Sequence, residues 1–271
     1  MSASVTLVKL GGSLITKKRV PDTARPDVIA ALAAQLEAAA RGGAALIVGH
    51  GSGSFGHTAA IRAGITGVAG SVEPLALPPD PAGISRVQAK ASELHRIVVN
   101  ALLRAGARPF SIAPSAVATA TAGAITRVSC DTVEAALEGG LMPVVYGDVV
   151  LDPGGRASIV STESVLVALA GELRRSGRIV RRCLWLGDTD GVLGPGGGVV
   201  AQVPARAPND VLAAVGASIA PDVTGGMRHR VETALVLARS GIPSWIGNGR
   251  RPAALQRLLA DEHVPGTEVV P

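Results

Sequence analysis

The residues with the clearest chemical potential lie in the stretch VTLVKLGGSLITKK near the start of the chain. An apolar strand breaks at Gly11, Gly12 and Ser13, whose backbone N–H groups have no bulky side chain in front of them. Lys9 and Lys18 place positive charge on either side of this turn. Backbone amides beside ammonium groups form an anion cradle, and phosphate is the anion expected there. The stretch predicts a phosphate-binding turn, and its alternative is an ordinary surface turn.

A second glycine loop, GHGSGSFGH, follows another short apolar run and ends at His57. Gly51, Gly53 and Gly56 fit the pattern GxGxxG of dinucleotide-binding loops. That fingerprint also requires an acidic residue at the end of a second strand about 20 positions on. The corresponding region of this chain is rich in glycine and proline instead. We therefore interpret the loop as a ligand-binding loop of another kind.

Aspartates follow further apolar runs, at Asp148, Asp188, Asp190 and Asp222. Glycine-rich loops combined with lysines suit phosphoryl transfer, in which catalysis is mostly positioning and neutralisation of charge. The P-loop pattern GxxxxGK[ST] is absent from the sequence, which excludes that class of enzyme.

The elements that must position these loops alternate between strand and helix. Strands are expected at Val5–Leu10, Ala44–Val48, Arg108–Ala113, Met142–Val145, Ile179–Leu186 and Pro243–Ile246, and helices at Pro26–Ala40, Ile84–Ala105, Asp131–Glu138, Ser161–Arg174 and Met227–Ser240. Residues 66–83 are expected to form an irregular loop, and Val149–Gly155 a hairpin. The order predicts a doubly wound, mostly parallel sheet whose ligands bind beyond the carboxyl ends of the strands.

Composition narrows the class of partner. The chain has 271 residues, 47% of them apolar but only 2% aromatic, and a net charge of +5. With so few stacking side chains and no zinc or helix-turn-helix pattern, a nucleic-acid partner is not expected, whereas an acidic small-molecule substrate fits the charge. Cys130 and Cys183 do not form a disulfide framework or metal-ligand pattern. No apolar run has the length of a membrane span or signal peptide, so we expect a cytoplasmic protein.

The loops together resemble the motifs of the amino-acid kinase superfamily, in the same order and over almost the whole chain. Within it they are most similar to isopentenyl phosphate kinases, through KLGGSLITKK, GSGSFGH, PVVYGDVVLD, DVTGGM and a terminal Gly266-Thr267. The resemblance implies a three-layer αβα sandwich around a mostly parallel sheet of about eight strands. It also implies one domain over residues 1–271 and a homodimer. The lobe of about residues 1–150 would bind the phosphoryl acceptor and that of about 151–271 the nucleotide.

The reaction implied by the resemblance is transfer of a phosphoryl group from ATP, with Mg²⁺, to isopentenyl phosphate. Lys9 would bridge the transferred group, Lys18 would bind its γ-phosphate end, His57 would hydrogen-bond the acceptor phosphate, and Asp148 would border the acceptor and orient Lys9. The implied ATP contacts are Lys9, Gly11, Gly12, Ser13, Gly53, Asp188, Asp190, Gly191, Val192, Leu193, Gly226 and Arg230. The implied acceptor contacts are Ser52, Gly53, His57 and Gly147. No side chain is assigned as a ligand of a resident metal.

Three positions depart from the pattern of related kinases. Glu163 stands where an aspartate is common, Gly187 where a threonine is typical, and Arg230 where a lysine is usual. Arginine keeps the charge but binds phosphate with a different geometry. Two alternatives stay open: a kinase of fosfomycin or another small acid, and a nucleotide-binding regulatory protein that has lost turnover.

Overall fold

The computed structural model describes residues 4–62, 81–121, 123–208, 210–213 and 226–271. The strands are β1 Val5–Leu10, β2 Ala45–His50, β3 Pro109–Ser111, β4 Ala118–Thr121, β5 Ala124–Val128, β6 Met142–Tyr146, β7 Asp148–Leu151, β8 Ala157–Val160, β9 Val180–Gly187, β10 Gln202–Pro204, β11 Ser244–Asn248 and β12 Thr267–Val270. The helices are α1 Gly12–Ile15, α2 Pro26–Arg41, α3 Gly53–Arg62, α4 Pro81–Arg104, α5 Pro114–Val117, α6 Asp131–Glu138, α7 Thr162–Arg175, α8 Gly226–Arg239 and α9 Ala254–Leu259. Among these helices none has both the length and the apolar character needed to cross a membrane.

An eight-stranded sheet runs through the molecule in the order β10-β12-β11-β9-β1-β2-β6-β3. The strands from β11 to β3 are all parallel, while β12 pairs antiparallel with β11 and β10 pairs parallel with β12. Leu10 lies opposite both His50 and Leu186, and His50 lies opposite Tyr146. The loops that follow β1, β2, β6 and β9 therefore leave the sheet side by side at one edge. The predicted mostly parallel sheet is confirmed.

Helices cover both faces of the sheet. On one face α2, α4 and α9 pack on side chains such as Val8, Val48 and Leu184. On the other face α6, α7 and α8 pack on the alternate positions, such as Leu7. Side chains of a strand alternate between the two faces, so Lys9 shares the face of Leu7 and points toward α7. This parity places the ammonium group in the site described below.

Several local predictions are confirmed. Helix α6 has the predicted bounds, and the predicted hairpin at Val149–Gly155 corresponds to the antiparallel pair β7 and β8. Ser161 caps α7, because its Oγ accepts a hydrogen bond from Ser164 N at 3.0 Å.

Other local predictions are wrong or fall outside the described residues. The loop GSGSFGH is helical from Gly53 onward, and residues 81–83 begin helix α4 rather than ending a loop. The antiparallel pair β4 and β5 was not predicted. Residues 66–80 of the expected loop lie outside the described residues, and so does Asp222.

Candidate active site

Lys9 is the buried centre of the site. It lies near the carboxyl end of β1 with 4% of its surface exposed, and its Nζ is 2.6 Å from Oε1 of Glu163 in the first turn of α7. Burial would raise the pKa of Glu163, but the positive charges of Lys9 and Arg230 outweigh it and lower that pKa to about 2. Glu163 is therefore ionised and holds the ammonium group in place. The longer side chain at this position reaches the lysine directly.

Arg230 adds a second positive charge beside this ion pair. Arg230 is buried in α8, and its charge lowers the pKa of Glu163. Burial is the largest cause that lowers the pKa of Lys9, and the charge of Arg230 lowers it further. A Cβ atom added at Gly187 would lie 3.0 Å from Nη1 of Arg230. The two departures at positions 187 and 230 are therefore in contact, since the guanidinium group occupies space that a larger residue at 187 would take.

The two glycine loops predicted from the sequence pack against each other. A Cβ atom at Gly12 would lie 2.8 Å from both N and Cα of Gly53, so no side chain fits between the loops. Gly53 has a φ of +51°, and a Cβ atom there would lie 2.4 Å from Oγ1 of Thr16. That hydroxyl donates to Gly12 O at 2.7 Å and accepts from Ser54 N at 3.1 Å. Thr16 thus fixes the first loop to the start of α3.

The start of α3 brings the acceptor candidates to the same edge. Helix α3 begins at Gly53, directly after Ser52, and carries His57 in its second turn. N–H groups in the first turn of a helix have no partner within the helix and can bind an anion. Ser54 N already donates to Thr16 Oγ1, so the half-buried His57 and the backbone N–H groups of residues 52 and 53 are the donors that follow β2 in the position expected of an anion site.

The loop after β9 closes the opposite side. Ser13 Oγ donates to Asp188 Oδ1 at 3.0 Å, which links the first glycine turn to this loop. Asp190 Oδ1 accepts from Asn248 Nδ2 at 2.9 Å and lies 3.1 Å from a guanidinium nitrogen of Arg251. Its hydrogen bonds to Asn248 and Arg251 lower the pKa of Asp190. The carboxylate of Asp190 is therefore engaged in joining the ends of β9 and β11.

Thr267 anchors the segment after Asp190, which runs from residue 191 to residue 200. Its Oγ1 accepts from Val192 N at 2.9 Å and donates to Val200 O at 2.7 Å. The Val192 side chain is fully buried in the core, whereas Leu193 is half exposed. Gly191 packs against Thr267 and Val199, where a Cβ atom would approach within 2.8 Å of the threonine hydroxyl. Val192 O also accepts from Val200 N at 2.8 Å, so both backbone polar groups of Val192 and its side chain are engaged within the fold.

The expectation that Asp148 orients Lys9 is wrong in this structure. Asp148 begins β7, which leaves the main sheet, and its carboxylate accepts from Ser115 N at 3.1 Å and from Val149 N at 2.8 Å. Burial raises its pKa, and these hydrogen bonds act in the opposite direction. Glu163 holds the lysine instead, and Asp148 fixes the start of α5.

The remaining predicted residues lie at different distances from this centre. Gly147 packs tightly on the start of α7, where a Cβ atom would lie 3.3 Å from Thr162 Oγ1. Gly226 begins α8, the helix that carries Arg230. Lys18 lies on an exposed loop after α1.

Three threonines hold the loops of the site together in a way that the sequence analysis did not predict: Thr16, Thr162 and Thr267. Thr162 Oγ1 donates to His50 O at 2.6 Å and so ties α7 to the end of β2. Each hydroxyl joins loops that are far apart in sequence. Only the position of Thr267 after Gly266, within the terminal motif, gave a signal in the sequence.

The described residues contain no group of three or more His, Cys, Asp or Glu side chains that could hold a metal ion. The anion-binding features, by contrast, converge. Backbone turns, a buried ammonium group and a buried guanidinium group surround the carboxyl ends of β1, β2 and β9.

Comparison with known proteins gives this site a family. Residues 4–248 match the Amino acid kinase family. The isopentenyl phosphate kinase of Methanothermobacter thermautotrophicus is 32% identical, over 97% of this chain and 98% of the relative. That of Haloferax volcanii is 31% identical, over 98% of both chains.

A solved isopentenyl phosphate kinase structure superposes with a TM-score of 0.78 and 28% identity, covering 97% of this chain and 99% of the other. The chain therefore belongs to the amino acid kinase family, among whose members isopentenyl phosphate kinases match it over nearly their full length.

Proposed function

We propose that this chain transfers the γ-phosphoryl group of ATP to isopentenyl phosphate, giving isopentenyl diphosphate and ADP. The observation that carries the proposal is the buried ammonium group of Lys9, held by Glu163 between two glycine loops. The full-length similarity to isopentenyl phosphate kinases supports the choice of acceptor.

The main obstacle to this reaction is charge. The bond between the γ-phosphorus and the β,γ-bridging oxygen breaks, a new bond forms to an oxygen of the acceptor phosphate, and ADP leaves. Both reactants are anions, so catalysis consists of aligning them and neutralising their charge. A buried ammonium group does this well, because its field is weakly screened. An ionised phosphate acceptor needs no general base, which fits a site built from donors and cations.

The acceptor is proposed to bind on the α3 side. Ser52 and Gly53 would approach its phosphate through the backbone, and His57 would donate to a phosphate oxygen. Gly147, whose N–H donates to His50 O at 3.2 Å, would border the phosphate without donating to it. Directly after His57, α3 presents Ala59 and Ala60 to an apolar cluster that also contains Val87, Val149 and Ala157. These small side chains beside an anion site support an acceptor with a short hydrocarbon tail.

ATP is proposed to bind between the first glycine turn and the loop after β9. Gly12 and Ser13 would bind its phosphates with backbone N–H groups, and Lys18 the γ-phosphate end. Gly11, whose N–H donates to Leu186 O at 2.8 Å, would leave room for the phosphates through its missing side chain. Residues 188–193, Gly226 and Arg230 would contact the rest of the nucleotide. Mg²⁺ would arrive on the phosphates of ATP, since it is usually held by substrate phosphates with one or two carboxylates.

The lobe of about residues 1–150 is thus proposed for the acceptor and that of about 151–271 for most of the nucleotide. We also propose a homodimer, as the family resemblance implies.

The contact between Lys9 and Glu163 supports turnover over a purely regulatory role. A chain that had lost catalysis would not need to keep an ammonium group in a buried position, because burial of an ionised group is costly. The carboxylate that offsets this cost also leaves two N–H groups of the ammonium for phosphate oxygens.

The experiment that tests the proposal compares three acceptors. Purified protein with Mg-ATP is expected to release ADP with isopentenyl phosphate, more slowly with dimethylallyl phosphate, and only at background rate with fosfomycin. Phosphorus NMR of the product should show a diphosphate. Faster turnover with fosfomycin would replace the proposed acceptor, and tight ATP binding without turnover of any acceptor would contradict a kinase.

A second prediction concerns the contact between Gly187 and Arg230. Gly187→Thr is expected to raise the KM for ATP roughly tenfold, because the added side chain displaces the guanidinium group. The double variant Gly187→Thr, Arg230→Lys should recover most of the loss, since lysine lacks the guanidinium nitrogen Nη1 that crowds the added side chain. The matched control is Gly171→Thr, where an added Cβ atom meets nothing within 4 Å. Additive effects of the two substitutions would contradict the coupling.

A further inference from the structure

A stack of aromatic rings lies behind Gly51 and Ser52, the two residues that join β2 to α3 and are called the acceptor loop below. His50, the last residue of β2, is fully buried, and its ring centroid is 5.2 Å from that of His95 in the middle of α4. The Tyr146 ring stacks on both, at 5.8 Å from His50 and 4.3 Å from His95, and its hydroxyl lies 3.2 Å from Ser92 Oγ. Neither histidine has a role in the proposed reaction so far.

The hydrogen bonds of the two histidines fix their tautomers. His50 Nδ1 lies 3.2 Å from Gly51 O, and a carbonyl oxygen can only accept, so Nδ1 carries the proton. In the neutral ring Nε2 of His50 must then accept, and His95 Nδ1 donates to it at 2.9 Å. His95 Nε2 is left to accept from Ser111 Oγ at 2.6 Å. The donors of this series of hydrogen bonds therefore all point in one direction, from Ser111 to Gly51.

Both rings are neutral. Burial, together with the neighbouring His95 and the charge of Lys9, lowers the pKa of His50 to about 3. Burial and the charge of Arg96 lower that of His95 to about 4. The charged groups that act on the two histidines, Lys9 and Arg96, are thus cations, and the Tyr146 ring completes the stack. In neutral solution the donors and acceptors in this series of hydrogen bonds therefore do not exchange roles.

The last hydrogen bond of this series, from His50 Nδ1 to Gly51 O, fixes the orientation of a peptide group in the acceptor loop. The peptide bond between Gly51 and Ser52 is trans, so its C=O and N–H point in opposite directions. With the Gly51 carbonyl held by the His50 ring, the Ser52 N–H points away from the stack. Within the described part of the chain, Ser52 N donates no hydrogen bond. Gly51 also packs on Gly12, where a Cβ atom would lie 2.9 Å from Gly12 N.

We propose that His50 and His95 are positioning residues that aim the Ser52 N–H at the phosphate of the acceptor. The inference rests on the proposed function for the identity of the acceptor. Its structural part is independent of turnover, since it concerns the tautomers and the orientation of one peptide group. Because His95 lies on α4 and His50 on β2, the pair also couples this helix to the acceptor loop.

The first test is spectroscopic and needs no activity. Long-range proton–nitrogen NMR of the ring nitrogens is expected to show both histidines as Nδ1–H tautomers, unchanged from about pH 8 to about pH 5. Addition of inorganic phosphate should shift the Ser52 amide signal. An Nε2–H tautomer at His50, titration of either ring near its ordinary pKa, or a Ser52 amide indifferent to phosphate would overturn the proposal.

The second test is kinetic. His95→Leu breaks the chain and is expected to raise the KM for isopentenyl phosphate about tenfold, with the KM for ATP unchanged. In His95→Gln the side-chain amide can donate to His50 and its oxygen can accept from Ser111, so the KM should recover to within about threefold of wild type. The control is His263→Gln on the exposed surface, which should have no effect.

Equal losses for both substrates, or no recovery in His95→Gln, would show a structural role only and overturn the proposal. If the wild-type protein does not phosphorylate isopentenyl phosphate at all, the proposed function fails while the tautomer measurement still decides the orientation of the peptide. The two failures are therefore distinguishable.

Discussion

Lys9→Met is expected to lower kcat on the order of 10³-fold, because it removes the buried positive charge at the point where the two anions meet. Methionine keeps the length and apolar stem of the lysine side chain. The nearby guanidinium of Arg230 does not replace the ammonium, since it lies toward Gly187 at the end of β9. The loss should appear in kcat more than in the KM of either substrate.

The same substitution has a separate effect on stability. It leaves the carboxylate of Glu163 buried with Arg230 as the remaining positive neighbour. Removing one partner of a buried ion pair is strongly destabilising, and with this partial compensation we expect a loss of about 2–3 kcal/mol in the free energy of unfolding.

The double variant Lys9→Met, Glu163→Gln separates the two effects. It removes both charges, so urea unfolding should show most of the lost stability recovered, while kcat stays as low as in Lys9→Met. Turnover that recovers together with stability would show that the lysine acts through folding alone and would contradict its proposed role. Single-turnover measurement of ADP formation gives the chemical step directly.

The sequence was sufficient for features that depend on local pattern. Alternating strands and helices predicted the parallel sheet, and the glycine loops predicted at strand ends do lie side by side at one edge of it. The parity of β1 even determines the face of Lys9. These properties follow from the periods of strands and helices and from the geometry of parallel sheets.

Features that depend on tertiary packing could not be read from the sequence. The start of α3 at Gly53 has a left-handed φ that is set by packing against Gly12 and Thr16 rather than by helix propensity. The sequence left the partner of Lys9 open between Asp148, after β6, and Glu163, at the start of α7. The folded chain decides between them, because the Asp148 carboxylate accepts from Ser115 N and Val149 N while Glu163 pairs with Lys9.

The buried histidine pair also escaped the sequence analysis. His50 and His95 are 45 positions apart, on a strand and a helix, and neither belongs to a spacing with chemical meaning. Their low pKa values make the stability of the whole fold depend on pH, since these rings bind protons in the unfolded chain at pH values at which they stay neutral in the folded chain.

Stability is therefore expected to fall steeply as the pH drops below about 6.5, the ordinary pKa of histidine. The folded pKa values of His50 and His95, about 3 and about 4, are depressed. Their neutral form thus contributes full stability above the unfolded pKa, and this is lost as the pH falls toward the folded values. Each ring should cost about 2 kcal/mol between about pH 7 and about pH 5, or about 4 kcal/mol together.

Urea unfolding at these two pH values measures the effect, and His95→Gln supplies the matched variant. Removing one titrating ring should roughly halve the difference in unfolding free energy, whereas His263→Gln should leave it unchanged. Glu163, with a pKa of about 2, contributes little in this window, because it differs from its unfolded state only below about pH 4.5. A free energy of unfolding that is constant between about pH 7 and about pH 5 would show that the rings accept protons in the folded state. The one-directional hydrogen-bond chain from Ser111 to Gly51 could then not persist in acid, because a doubly protonated His50 has no acceptor left for His95.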